Sequence, residues 1–169
     1  GVEINPSSTR MLGMAAADLN YADAAFRTAI EQTFVDMYKA IAACNNVIGH
    51  IETTKIVFNS KSRKRIITGE LYGLRAALHF ELLRLFHPAY AVDPGFVGLP
   101  YMVRFGMTAS EPLSTEAFVG KVIADLERAA SELETTDPVL DGFTLGTVLP
   151  GEIDSRLRTF CLNYYACFL

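Results

Sequence analysis

"GELYGLRAALHFELLRLF", Gly69–Phe86, carries too few polar side chains for a helix that lies on a surface. Wound at about 100° per residue, its side chains sort into two arcs. Glu70, Glu81 and Arg84 share a narrow strip with Gly73 and Ala77. Arg75 and His79, one turn apart, point the other way, among Leu71, Leu78, Leu82 and Phe86. A helix apolar over most of its circumference needs neighbours on several sides. A guanidinium and an imidazole inside that arc require either a ligand or polar partners on those neighbours.

The flanking segments supply such partners. Upstream, a helix is predicted over about Phe26 to Thr53, with an apolar stripe of Phe34, Met37, Tyr38, Ile41, Cys44, Ile48 and Ile51. Asn45 falls on that stripe, and a buried amide left unpaired costs about 1–3 kcal/mol. Downstream, Ser114 caps an amphipathic helix with Glu116 in its first turn. That helix should bury Phe118, Val119, Val122, Leu126, Ala129, Ala130 and Leu133. Asp125 lies at the edge of the same face and is the nearest carboxylate for Arg75. The pattern therefore predicts an inter-helix polar network of Asn45, Arg75, His79 and Asp125.

The remaining organisation follows from breakers and charge. "KSRKR", Lys61–Arg65, reads as a solvated basic turn before a helix running from about Lys64 to Ala89, which Pro88 helps to end. Residues 91–113, with three prolines and several glycines, read as a long loop. A second loop, Thr136 to Ile153, has the composition of a short hairpin, and a last helix is expected after Asp154. The short link between the first two helices favours antiparallel packing of that pair. The fold class is all-α, with stacked helix pairs resembling tetratricopeptide repeats and long irregular loops.

Composition narrows the function. Half of the 169 residues are hydrophobic and a fifth are charged, enough for a real core. A net charge of −4 argues against a nucleic-acid partner. Cys44, Cys161 and Cys167 lie in apolar stretches without metal-ligand spacing, so neither a metal nor a cofactor is expected. No apolar run reaches the roughly 18 residues of a membrane span. No nucleophile elbow, zinc-helix, phosphate-loop or paired-carboxylate motif is present, and the chain is read as non-enzymatic. The apolar helical pattern of "RTFCLNYYACFL" runs to the last residue, so residues 1–169 are read as one incomplete domain.

Taken together and in order, the helices resemble a known family. "MYKAIAACNNVI" is similar to the aromatic-x-x-Ile-x-x-x-Asn-x-x-Ile pattern of SusD/RagB-type outer-membrane lipoproteins. "ITGELYGLRAALHFELLRLF" resembles their Gly-Glu-Ala helix through Gly69, Glu70, Arg75, Ala76, His79, Phe80 and Leu82, with Leu71 in place of the alanine. "GLPYMV" matches their Gly-x-Pro segment at Gly98 and Pro100. The next helix matches at Ser114, Phe118, Ile123, Asp125, Leu126 and Ala129. The resemblance covers residues 18–169 and implies a cell-surface protein, tethered to the outer face of the outer membrane by an N-terminal lipid anchor that this sequence does not contain. It further implies a non-catalytic role, capturing oligosaccharides for a TonB-dependent transporter barrel. Relatives often use tryptophan as a sugar platform, and this chain has none.

Sugar capture needs aromatic faces and hydrogen-bonding side chains on loops held by a scaffold. Two stretches fit: Asp18, Asn20 and Tyr21, with Phe26, before the first helix, and Phe96, Tyr101 and Arg104, with Phe105, in the long loop. Two other readings stay open: a helical-repeat module for protein–protein interaction, and uptake of a peptide or other non-glycan polymer.

Overall fold

The computed structural model describes residues 17–53, 61–93, 95–106, 108 and 110–133. Among them the elements run, in order, α1 (Ala24–Thr53), α2 (Lys61–Phe86), β1 (Val97–Pro100), β2 (Pro112–Ser114) and α3 (Thr115–Leu133). The fold is all-α, with one small antiparallel ribbon. The chain falls into two compact units, Gly1–Lys39 and Ala40–Leu169. The final loop, the hairpin expected within it, the last helix, Cys161 and Cys167 lie outside the described residues.

In the first unit, Asp23 Oδ1 accepts the Phe26 N–H at 2.8 Å and satisfies one open donor at the start of α1. Asn20 Oδ1 takes the Ala22 N–H at 3.1 Å, and Leu19 adopts a left-handed φ of 49° in the turn before it. Tyr21 packs against Phe26, with ring centroids 5.6 Å apart. Phe34 meets Tyr38 edge-on at 5.0 Å. Both residues of the latter pair are half-buried.

In the second unit, α1 buries Ile41, Cys44, Asn45, Ile48 and Ile51, the later part of its predicted stripe. Burial pushes the Cys44 thiol above its ordinary value, consistent with a packing role. The helix α2 starts earlier than its sequence suggests. Lys61–Arg65 form its first turns rather than a turn before it, and Arg65 reaches α3, its Nε 3.0 Å from Glu132 and its Nη2 2.6 Å from the Ser131 carbonyl. At the other end His87 N–H still bonds the Leu83 carbonyl at 3.2 Å, and Pro88 stops the helix.

The ribbon lies within what reads as plain loop. Val97 faces Ser114, Leu99 faces Leu113 and Pro100 faces Pro112, with an irregularity between Val97 and Leu99. Leu99 and Tyr101 turn into the core. Ser114 then caps α3, its Oγ accepting the Ala117 N–H at 3.3 Å. The buried face of α3 holds Phe118, Val122, Asp125, Leu126, Ala129 and Leu133; Val119 is half-buried and Ala130 is exposed, although the apolar spacing predicts both as buried.

Among the described residues the closest helix backbones are those of α2 and α3. Gly69 makes this approach possible. A Cβ there would stand 2.6 Å from Leu133 Cγ and 3.1 Å from the Ala129 carbonyl oxygen. Relief would need a new rotamer for Leu133, which is buried, and the Ala129 oxygen belongs to the backbone of α3 and cannot rotate away. We expect Gly69→Ala to lower stability by about 1–2 kcal/mol, overpacking outweighing the gain in helix propensity. Denaturant titration checks this, and an unchanged or higher midpoint would contradict the close crossing.

Candidate functional site

Arg75 is 4 % exposed and stands where α1, α2 and α3 converge. Its guanidinium forks onto Asp125, Nε to Oδ2 at 2.7 Å and Nη2 to Oδ1 at 2.6 Å. Its third nitrogen, Nη1, donates to Asn45 Oδ1 at 2.7 Å and more weakly to the Val103 carbonyl at 3.4 Å. Burial alone would lower the Arg75 pKa, but the bonds and charge of Asp125 outweigh it and the net direction is upward. Asp125 also accepts the Tyr101 hydroxyl at 2.6 Å, so its carboxylate takes three hydrogen bonds.

His79 completes the set. The Met102 N–H donates to its Nε2 at 3.0 Å, so that nitrogen is the acceptor and the proton sits on Nδ1, facing the Arg75 carbonyl at 2.9 Å. The imidazole stacks on Tyr101 with centroids 3.7 Å apart and 13° between planes, and meets Phe118 edge-on at 5.7 Å. Burial, chiefly, pushes its pKa down to about 4, so the ring is neutral near pH 7. All four residues of the predicted network thus meet, and Tyr101 joins them.

The network's outer face is a length of backbone. Asn45 Nδ2 donates to the Met102 carbonyl at 2.9 Å, while the Met102 N–H and the Val103 carbonyl are held as above. Residues 101–103 are therefore pinned to the helices, and the residues that follow project from a fixed base. Close by, Tyr72 lies under the Arg75 guanidinium at 4.7 Å and donates its hydroxyl to Glu52 at 2.8 Å, tying α2 to the end of α1.

The six sugar-facing candidates fare differently. Tyr101 is 2 % exposed and committed to Asp125 and His79, so it is corrected from platform to core group. Phe96, at 38 % exposure, is partly engaged, edge-on to His87 at 4.8 Å. Arg104 is exposed, as is its neighbour Phe105. In the first unit Asp18, Asn20 and Tyr21 are all exposed, with Tyr21 tilted on Phe26.

Among the described residues of the second unit, two clefts bear on binding. One, of about 710 Å³, lies where the end of α2 meets the start of α3 and is lined by Phe80, Leu83, His87, Tyr90, Val119 and Ile123, among others. The other, of about 430 Å³, lies between the last turns of α1 and residues 103–105. The second unites parts of the sequence more than fifty residues apart, and no local pattern announces it. Among the described residues no group of three metal-ligating side chains occurs, and no helix is long and apolar enough to cross a membrane. Compared with family models, curated proteins and solved structures, the chain matches none.

Proposed function

We propose that this chain is the early helical scaffold of a SusD/RagB-type surface protein, which captures oligosaccharides without catalysis and passes them to a TonB-dependent outer-membrane transporter. Its helices would then be tetratricopeptide-like hairpins stacked as mortared layers, with recognition left to the connections. The observation that carries this reading is the convergence of Asn45, Arg75, His79 and Asp125. These residues belong to the three separate stretches that resemble the family, and they close into one knot instead of scattering over the surface. With their bonds spent on one another and on backbone, none is poised as a general acid or nucleophile, which favours binding over turnover.

The test is native electrophoresis of the full-length protein through gels cast with soluble polysaccharides: starch, xylan, β-glucan, mannan and polygalacturonate. Selective retardation by at least one of them, with no release of reducing sugar, is the expected outcome. Uniform mobility in every gel would refute glycan capture. It would favour the second reading, a protein-binding module, for which the apolar cleft between α2 and α3 is the feature in its support.

A further inference from the structure

We infer that the cleft between the last turns of α1 and residues 103–105 is a binding subsite for an uncharged saccharide, with Phe105 as its platform and Asn46, His50 and Arg104 as its hydroxyl partners. This rests on the glycan-capture reading and adds to it a place and a set of residues.

The first ground is the state of the side chains. Among the described residues, the side chains of Asn46, His50 and Arg104 have no hydrogen bond or ion pair, and Phe105 has no ring partner. Yet all four line the same cleft, beside Glu52 and Thr53. Phe105 is 63 % exposed, a large apolar face held in water next to an unpaired guanidinium. An aromatic face ringed by an amide, an imidazole and a guanidinium matches a pyranose ring, apolar on its C–H face and hydroxylated at its edge.

A second ground is rigidity. Arg104 and Phe105 follow directly on the backbone that Asn45, Arg75 and His79 hold. On the opposite wall, Asn46 and His50 sit one turn apart on the continuous helix α1. Both walls are set before a ligand arrives, which reduces the ordering cost of binding.

Charge decides among ligand classes. The Arg104 guanidinium in the lining would attract an anion, but α1 ends at this cleft and the negative end of its dipole opposes phosphate or carboxylate. Glu52, whose carboxylate accepts the Tyr72 hydroxyl, adds a negative charge on the same side. Hydroxyl groups, which both donate and accept, suit that mixture of partners. The volume, about 430 Å³, lies in the range of small-ligand sites, roughly 300–1,000 Å³.

The structure also supplies a clean way to block the cleft. A Cβ at Gly49, on the cleft's helical wall, would meet nothing within 4 Å. Gly49→Leu therefore projects a side chain into the open space while raising helix propensity. These 169 residues contain no tryptophan, so Phe105→Trp adds an indole at the cleft, read as the difference in emission between the variant and the wild-type protein.

The experiment uses the full-length protein and whichever of starch, xylan, β-glucan, mannan or polygalacturonate retards it, with unfolding midpoints measured for every variant. Gly49→Leu, by filling the cleft, and Phe105→Ala, by removing the platform, should each weaken retardation about tenfold, equivalent to about 1.4 kcal/mol. Both should keep the wild-type unfolding midpoint or exceed it. Phe105→Trp should keep binding and show a saturable change in indole emission as a neutral polysaccharide is added. Retardation that survives both Gly49→Leu and Phe105→Ala, or an emission that does not respond, overturns the subsite while leaving glycan capture standing. Retardation by polygalacturonate alone overturns the uncharged class, and retardation by none of the five overturns subsite and function together.

Discussion

Arg75→Ala is expected to lower the unfolding free energy by about 3–5 kcal/mol, which for a chain of this size moves the thermal midpoint down by roughly 10 °C. The magnitude follows from what the substitution strands. Asp125 loses both arms of its fork and keeps only the Tyr101 hydroxyl, with its carboxylate still buried. Asn45 loses the donor to its Oδ1. Arg75→Lys should recover little, because one ammonium cannot reproduce a fork and reach Asn45 at the same time. The double substitution Arg75→Met/Asp125→Leu should recover a large part, since removing both charges also removes the cost of burying them. Chemical denaturation of the four proteins checks the set. An Arg75→Ala protein with the wild-type midpoint would show that the fork contributes nothing.

The second large effect is a pH dependence that belongs to His79. Its folded pKa, about 4, lies below the 6.5 of an ordinary imidazole, which is the value it regains in the unfolded chain. Between those two values the unfolded state binds the extra proton and the folded state does not. The stability that His79 contributes is therefore complete above pH 6.5 and is lost as pH falls towards 4, about 3 kcal/mol in all. The structural cause is visible at Nε2: protonation would set an N–H against the Met102 N–H, two donors facing each other. In His79→Gln this loss over pH 6.5 to 4 should shrink markedly, as measured by urea midpoints at half-unit pH intervals. An identical pH profile in both proteins would place the acid sensitivity elsewhere.

Much of the scaffold is legible in the sequence because burial leaves a period. The stripe on α1 and the misplaced Arg75 and His79 on α2 are visible as departures from amphipathic spacing. Asn45 and Asp125 are legible for the same reason, each a polar residue on an apolar face. What escapes is whatever lacks a period. Tyr101 is one aromatic residue in an irregular stretch, and nothing in its neighbours distinguishes a core hydroxyl from a sugar platform. The charged run Lys61–Arg65 conceals two points: that it is already helical, and that Arg65 has a partner on α3. Loop length is silent on how closely α2 and α3 approach. The deciding feature is instead the missing side chain at Gly69, whose effect depends on Leu133 and Ala129 arriving from more than fifty residues away. The strands of the ribbon are three and four residues long, too short for alternation to register.

The knot of Asn45, Arg75 and His79 takes hold of Met102 and Val103 by their peptide groups, which every amino acid possesses in the same form. The grip is therefore indifferent to which side chains follow. Arg104 and Phe105 can be exchanged for other residues with no compensating change in any helix. Substitution at these two solvent-facing positions therefore alters the surface offered to a ligand while the architecture stays as it was.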